Sequence, residues 1–215
     1  QFMALLSLDN VSKSYGRKAV LNGVSLTFPM GLTLLVGPSG AGKSTLLRLL
    51  ATAERPDRGT IAWDGAALPA ARATLRATLG YAPQAVDLPD DLTAREFARH
   101  MASLKGLDLG TADAQFLGLA DAVGLHADVN GRIASYSGGM RRRLIFVQAL
   151  LGQPQLLALD EPTAELDGET ARKLGALIID RAREAVVVMT THLSDELAPH
   201  AVQVLRVDGG QVLPA

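Results

Sequence analysis

The chain has 215 residues, of which 48% are hydrophobic, a formal net charge of −1 and no cysteine. This length suits one domain, or one domain with a subdomain. The balanced charge creates no electrostatic field that would favour binding to nucleic acid. The lack of cysteine excludes disulfides and cysteine-ligated metals. No apolar run reaches the ~18 residues that a membrane-spanning helix needs, so we expect a cytoplasmic protein.

Residues 1–83 predict the first part of an α/β core. Segment 4–28 alternates apolar and polar residues, with turns at Gly16 and Asn22-Gly23, which predicts an antiparallel hairpin or small sheet. An apolar strand precedes the glycine-rich loop at 37–45, and a leucine-rich helix follows it. Short strands are then predicted at TIAWDG and at LGYAP.

Residues 84–154 predict a helical subdomain inserted into this core, with no strand among its helices. DLTAREFARHMASLKG has an N-cap candidate at Thr93 with a glutamate three residues later, and TADAQFLGLADAVG repeats the pattern with Thr111. The third helix is GGMRRRLIFVQALLGQP. We expect its arginines, 141–143, to be mostly solvated, because three consecutive residues spread around most of a helix.

The core resumes at residue 155. QLLALD predicts a buried strand, GETARKLGALIIDRARE an amphipathic helix, AVVVMTTH another buried strand and VQVLRVDGGQVL a hairpin. Strands separated by helices imply a mainly parallel sheet. The predicted fold class is α/β: a core at about 1–83 and 155–215 with an N-terminal antiparallel part, and an inserted α-helical subdomain at about 84–154.

The loop GPSGAGKST has the spacing of a phosphate-binding loop. Its glycines let successive backbone N–H groups point at one anion, and the following helix N-terminus adds to the attraction. Lys43 can reach the terminal phosphates of a nucleotide, and the Ser44 hydroxyl can ligate Mg²⁺. The nucleotide-binding residues predicted here are Gly37, Pro38, Ser39, Gly40, Ala41, Gly42, Lys43, Ser44 and Thr45.

Two acids follow the strand LLAL. Ligands of parallel sheets bind beyond the carboxyl ends of the strands, which would put Asp160 beside the glycine-rich loop as a Mg²⁺ ligand. Glu161 could then orient or deprotonate the water that attacks a γ-phosphate. A second glycine-bearing loop, SYSGGMRRR, also begins a helix and is a second candidate anion site, unless Ser137 serves only as a helix cap.

These motifs, in this order, resemble the nucleotide-binding domain of an ABC transporter over essentially the whole chain. GPSGAGKST resembles the Walker A loop, LLALDEP the Walker B strand with its catalytic glutamate, YSGGM the family signature and AELD the D-loop. Gln84 fits the Q-loop, His192 the switch histidine and Tyr15 the aromatic residue that stacks on adenine. Alternatively, Tyr15 is a core or hairpin tyrosine without a role in nucleotide binding, and Gln84 is an ordinary polar loop residue.

The resemblance implies an Mg²⁺-dependent ATPase with ATP as its nucleotide. The catalytic residues that it implies are Glu161, His192, Lys43 and Gln84. The metal ligands that it implies are Ser44, Gln84 and Asp160. Two such domains would pack head to tail, so that the loop of one closes on ATP held by the other. The residues that make this closing contact would be Ser137, Gly138 and Gly139.

The partners implied are a second ATP-binding domain, identical or different, and a separate transmembrane permease that holds the protein at the inner face of the membrane. YSGGMRRR and LTAREFARHMASLKG look most like the drug, antibiotic and bacteriocin exporter branch. An importer subunit and a soluble ABC ATPase outside transport remain alternatives. The balanced charge argues against nucleic acid, and the signature motif argues against a small-molecule kinase.

Three residues depart from the common family pattern: Tyr136 for leucine, Met140 for glutamine and Glu165 where a small residue is common. Methionine cannot hydrogen-bond as glutamine does, so we expect weaker contacts to ribose or to the D-loop. Glu165 adds a negative charge near the expected dimer interface. We hypothesise that this charge slows closure of the pair.

Overall fold

The computed structural model describes residues 4–85, 87–191 and 194–215. Its strands are β1 (Ala4–Tyr15), β2 (Lys18–Pro29), β3 (Gly31–Val36), β4 (Arg58–Trp63), β5 (Ala66–Ala67), β6 (Leu79–Ala82), β7 (Leu156–Asp160), β8 (Val186–Thr190), β9 (Ala201–Asp208) and β10 (Gln211–Pro214). Its α-helices are α1 (Lys43–Leu50), α2 (Arg72–Ala77), α3 (Ala94–Leu104), α4 (Leu109–Ala122), α5 (Gly138–Leu150), α6 (Gly168–Ala182) and α7 (Ser194–Leu197). Short 3-10 turns cover His126–Asp128, Ile133–Ser135 and Ala198–His200.

The N-terminal strands form an antiparallel sheet in the order β2-β1-β4-β5, which confirms the predicted antiparallel part. The predicted turn at Asn22-Gly23 is wrong, because both residues lie inside β2. The pairing of β1 with β2 shifts register there, so that these two residues form a bulge. Gly23 has a φ of 63° and its N–H donates to the Ser12 hydroxyl at 2.9 Å, so the glycine serves a bulge and not a chain reversal.

The second sheet has the order β10-β9-β3-β8-β7-β6. Each pair from β9 to β6 is parallel, and only β10 is antiparallel, so the predicted mainly parallel sheet and the C-terminal hairpin are confirmed. Because β3, β7 and β8 are adjacent and parallel, their carboxyl ends meet at one edge of the sheet. That edge carries the glycine-rich loop and the two predicted acids.

Alternate residues of the parallel strands feed two apolar cores, one on each face of the sheet. Leu157 and Leu159 of β7 pack against the helices that include α3 to α6, whereas Leu156 and Ala158 pack against α1 and the antiparallel sheet. The leucines of α1 that the sequence predicts as a helical stripe are fully buried in this second core. Both faces of the sheet are therefore covered, which leaves its carboxyl edge for ligands.

Three helices, α3, α4 and α5, fill most of residues 84–154. Among the described residues of this range there is no strand, only an isolated bridge between Thr93 and Arg132. The capping box predicted at Thr93 is confirmed, with Glu96 as its acid. The cap predicted at Thr111 is wrong: the carboxylate of Asp108 accepts the Thr111 N–H at 2.8 Å, and α4 begins at Leu109. The division into core and subdomain stays a prediction.

The expectation of mostly solvated arginines at 141–143 is also wrong, because all three are half-buried and bonded. Arg141 pairs with Asp90 at 2.6 Å, Arg143 donates to backbone carbonyls, and Arg142 donates to the carbonyl of Glu161 at 3.3 Å. Neighbouring segments approach α5 from several sides, so a spread around the helix does not mean exposure. Within the described residues, no helix is both long and apolar enough to cross a bilayer.

Candidate nucleotide-binding site

A cavity of about 360 Å³ lies at the carboxyl edge of the parallel sheet. It brings together residues from β1, β2, the glycine-rich loop, the start of α1, the segment after β6 and the end of β7. The predicted site residues that line it are Tyr15, Gly37, Ser39, Gly40, Gly42, Lys43, Ser44, Thr45, Gln84, Asp160 and Glu161. Pro38 and Ala41 belong to the same loop without lining the cavity. Lys18 and Val20 line it and were not predicted.

The backbone of the glycine-rich loop takes conformations that favour glycine. Gly37, Gly40 and Gly42 have φ values of 140°, 75° and 110°. A Cβ on Gly37 would lie 2.1 Å from the carbonyl oxygen of Val207, so no larger residue fits there. Gly42 caps α1 without a side chain, which leaves the first N–H groups of the helix directed at the cavity. This arrangement suits a phosphate group.

Lys43 begins α1 and its ammonium group lies over the same loop. Its Nζ donates to the carbonyl oxygens of Gly37 at 2.7 Å and Pro38 at 2.9 Å. The positive charge is thus held at the cavity beside the helix N-terminus, which also favours negative charge. The Lys43 ammonium, the dipole of α1 and the N–H groups of the loop therefore all favour an anion at the same place in the cavity.

Asp160 and Glu161 are both buried, 5% and 8% exposed, at the end of β7. Thr190, the last residue of β8, bridges them: its hydroxyl donates to Asp160 Oδ1 at 2.7 Å and accepts from the Glu161 N–H at 2.9 Å. Thr190 is not among the site residues predicted from the sequence. Its signal was a hydroxyl at the end of an otherwise apolar strand, directly beside the strand that carries the acids.

Ser44, Gln84 and Asp160 line the same cavity and offer a hydroxyl, an amide and a carboxylate oxygen. Such hard oxygen donors fit Mg²⁺, which commonly takes one or two protein carboxylates and completes its shell with phosphate and water. Among the described residues, no group of three or more histidine, cysteine and acidic side chains forms a metal cluster. The predicted histidine, His192, lies outside the described residues.

Tyr15 stands at the edge of the cavity with its side chain 42% exposed. Arg48 donates to its hydroxyl at 3.1 Å, and that hydroxyl donates to Glu54. Burial raises the pKa of Glu54, but hydrogen bonds from Tyr15 and Arg48 outweigh it and lower the pKa overall. Lys13 Nζ and Arg48 Cζ also lie over the ring, 5.6 Å and 6.0 Å from its centroid. The remaining exposed part of this aromatic ring is what could stack on a flat base.

The second glycine-bearing loop does not line this cavity. Ser137 caps α5, accepting the Met140 N–H at 3.2 Å, so the capping role does occur. Ser137 and Gly138 are nevertheless exposed. A Cβ on Gly138 would lie 4.0 Å from Glu165 Oε2, which places this loop beside the turn that follows Glu161. The structure thus separates the two predicted phosphate loops of one chain.

A family model described as "ABC transporter" matches residues 21–164. The Nod factor export ATP-binding protein I of Rhizobium etli is 34% identical over 216 residues, covering 98% of this chain and 67% of that protein. The corresponding protein of Sinorhizobium fredii is 38% identical over 197 residues, covering 89% of this chain and 56% of its own length. The chain spans about two thirds or less of the length of these curated relatives.

Solved structures share the whole fold. An "ATP binding subunit of ABC transporter" has a TM-score of 0.87 and 26% identity, covering 97% of this chain and 88% of that one. A dimeric post-hydrolysis state of the ATP-binding cassette MJ0796, bound to ADP and Pi, has a TM-score of 0.85 and 25% identity, covering 96% of both chains. These similarities extend over the antiparallel sheet, the parallel sheet and the helices between them.

Proposed function

The chain belongs to the ABC transporter family, and from this we propose that it binds ATP with Mg²⁺, pairs head to tail with a second ATP-binding domain, and hydrolyses ATP to drive export through a separate permease. One observation carries the proposal: a single cavity gathers the phosphate loop, Tyr15, Gln84 and the two acids Asp160 and Glu161. These residues come from four separate parts of the chain.

ATP binding is assigned to the loop and its flanks. The N–H groups of residues 37–45 and the Lys43 ammonium would hold the phosphates, and Tyr15 would stack on adenine. Ser44, Gln84 and Asp160 would hold Mg²⁺. When bound, the metal supplies charge neutralisation at the β- and γ-phosphates.

Hydrolysis is assigned to Glu161 as the base. Its carboxylate would take a proton from water as the water oxygen bonds to the γ-phosphorus, while the bond from that phosphorus to the β–γ bridging oxygen breaks and ADP and inorganic phosphate leave. Lys43, Gln84 and His192 would stabilise charge and orient the water. A buried carboxylate directly after a strand of the sheet suits this role, because the neighbouring strand β8 holds its backbone N–H.

Pairing would supply the second phosphate loop. Ser137, Gly138 and Gly139 lie away from the cavity of their own chain, so they are available to a nucleotide held by another. The dimeric cassette among the similar structures supports a head-to-tail pair. The name of the Rhizobium etli relative, an export ATP-binding protein, supports export. Membership of the ABC transporter family supports attachment to the inner face of the membrane through a permease.

The test is Glu161→Gln, examined by size exclusion with and without MgATP and by phosphate release. We expect ATP binding to persist, hydrolysis to fall at least ~100-fold and the protein to elute as an ATP-dependent dimer. Glu184→Gln, an exposed acid outside the cavity, is the matched control and should behave as wild type. Undiminished hydrolysis by Glu161→Gln would show that another residue is the base, and a monomer under all conditions would remove the homodimer from the proposal.

A further inference from the structure

Glu161 has an uncommon backbone for the residue that we assign as base. Its φ is 51°, in the left-handed region that non-glycine residues rarely adopt. Pro162 follows it, so the next peptide has no N–H to help hold the turn. A residue in such a conformation persists only where its surroundings hold it there. The contacts to its N–H and its C=O therefore help to set where its carboxylate lies.

The N–H of Glu161 is held from β8. It donates at 2.9 Å to Oγ1 of Thr190, a residue that is completely buried. The same hydroxyl donates its own proton to Asp160 Oδ1 at 2.7 Å. One hydroxyl thus acts as donor and acceptor, which serine can reproduce and valine cannot.

The carbonyl of Glu161 is held from α5. It accepts from Arg142 Nη1 at 3.3 Å, in addition to the Ala164 N–H at 3.2 Å within its own turn. Arg142 Nη2 lies 3.5 Å from Oε2 of Glu165, which has a φ of 62°. The Arg142 side chain is only 18% exposed, so its position is well defined by packing. One guanidinium group therefore contacts both left-handed residues of the turn.

We infer that Thr190 and Arg142 are positioning residues for Glu161. They hold its N–H and its C=O from two different elements, and so keep the carboxylate at the cavity. Neither is assigned to the nucleotide or the attacking water. The inference rests on the proposed function of Glu161 as base. It predicts that loss of either contact reduces the rate of the chemical step. Loss of the Arg142 contact should also leave ATP affinity unchanged, because Arg142 bonds to Glu161 and Glu165 and does not line the nucleotide cavity.

The experiment compares matched pairs in the full chain. Thr190→Val keeps the shape and removes the hydroxyl, and Thr190→Ser restores the hydroxyl. Arg142→Met removes the guanidinium without touching Asp160, and Arg141→Met is its control, because Arg141 pairs with Asp90 and not with Glu161. We expect kcat to fall about tenfold or more in Thr190→Val and Arg142→Met. KM for ATP should stay within about twofold in Arg142→Met, which is the decisive variant because Thr190→Val also removes the hydrogen bond to Asp160. Thr190→Ser and Arg141→Met should stay near wild type.

A double-mutant test separates positioning from general stability. If Arg142 acts through Glu161, then Arg142→Met should cost nothing further in the Glu161→Gln background. Equal losses in both backgrounds, or a loss of kcat that follows the unfolded fraction, would overturn the inference. Should Glu161→Gln itself hydrolyse ATP normally, the assignment of Glu161 as base fails, and the present inference fails with it. Where Glu161→Gln is inactive but Thr190→Val and Arg142→Met retain wild-type kcat, only the present inference fails.

Discussion

The hydroxyl of Tyr136 donates a hydrogen bond to the carbonyl oxygen of Asp128 at 2.7 Å. The side chain is 6% exposed, and this burial raises the pKa of its phenol. Tyr136 stands where the family signature has leucine, and its ring joins the same core as the neighbouring helices. Tyrosine, which is larger than leucine, is thus accommodated in the apolar core, and the adjacent Ser137 stays exposed.

Tyr136→Phe tests this account. It keeps the ring and leaves the carbonyl of Asp128 without the phenolic donor, so we expect the free energy of unfolding to fall by about 1 kcal/mol. Urea denaturation measures the change. ATP affinity should not move, because Tyr136 does not line the nucleotide cavity. An altered ATP affinity at unchanged stability would argue for a direct role of the phenol in nucleotide contact.

The start of α4 gives a second prediction. Asp108→Ala removes the carboxylate that accepts the Thr111 N–H, and should lower the free energy of unfolding by about 1 kcal/mol. Thr111→Val removes only the hydroxyl that donates to Asp108 at 2.8 Å, and should cost less. Thermal or urea denaturation of both variants decides the order. If Thr111→Val were the more damaging, the cap would be Thr111 after all.

Lys105 gives a pH prediction. Burial lowers its pKa from 10.5 to about 8, while its ammonium donates to the carbonyl of Leu151 at 3.0 Å. Between these two pKa values the unfolded chain binds more protons than the folded one, so this residue makes stability rise with pH from about 8 to 10.5.

The gain should total at most about 3 kcal/mol, and Lys105→Met should abolish it. Urea denaturation of both proteins at several pH values across this window measures the difference in slope. Parallel stability curves for the two proteins would mean that Lys105 titrates normally in the folded state.

Glu165 tests the hypothesis that an added negative charge slows closure of the pair. Its side chain is 72% exposed, and Arg142 is its partner at 3.5 Å, so the charge is only partly offset. In the Glu161→Gln background, where hydrolysis does not interfere, Glu165→Ala should strengthen ATP-dependent dimerisation about threefold, and less at high salt. Analytical ultracentrifugation with MgATP measures this. Equal dimer affinities at low salt would refute the hypothesis.

Much of the fold could be predicted from local patterns. Alternation of apolar and polar residues marks β1, continuous apolar runs mark β3, β7 and β8, leucine spacing marks α1, and the Thr93 capping box marks the start of α3. The errors fall where two local solutions compete. Asn22-Gly23 suits a turn as well as a bulge, and both Asp108 and Thr111 are good caps. Pairing of β2 with β1 makes Asn22-Gly23 a bulge. The start of α4 at Leu109 makes Asp108 its cap.

The glycine-rich loop, the paired acids and the loop SYSGGMRRR could be predicted as candidate site segments from the sequence, because the residues that suggest their chemistry are adjacent along the chain. Backbone N–H groups and neighbouring side chains need no distant partner to identify them. Thr190 and Arg142 could not be recognised, since a hydroxyl in a strand and one arginine among three acquire a role only when β8 and α5 pack beside Glu161. The sequence by itself determined which chemical groups the candidate site contains and their order along the chain. The tertiary structure decided which distant side chains hold those groups in place, because hydrogen bonds between separate elements depend on how the elements pack and not on spacing along the chain.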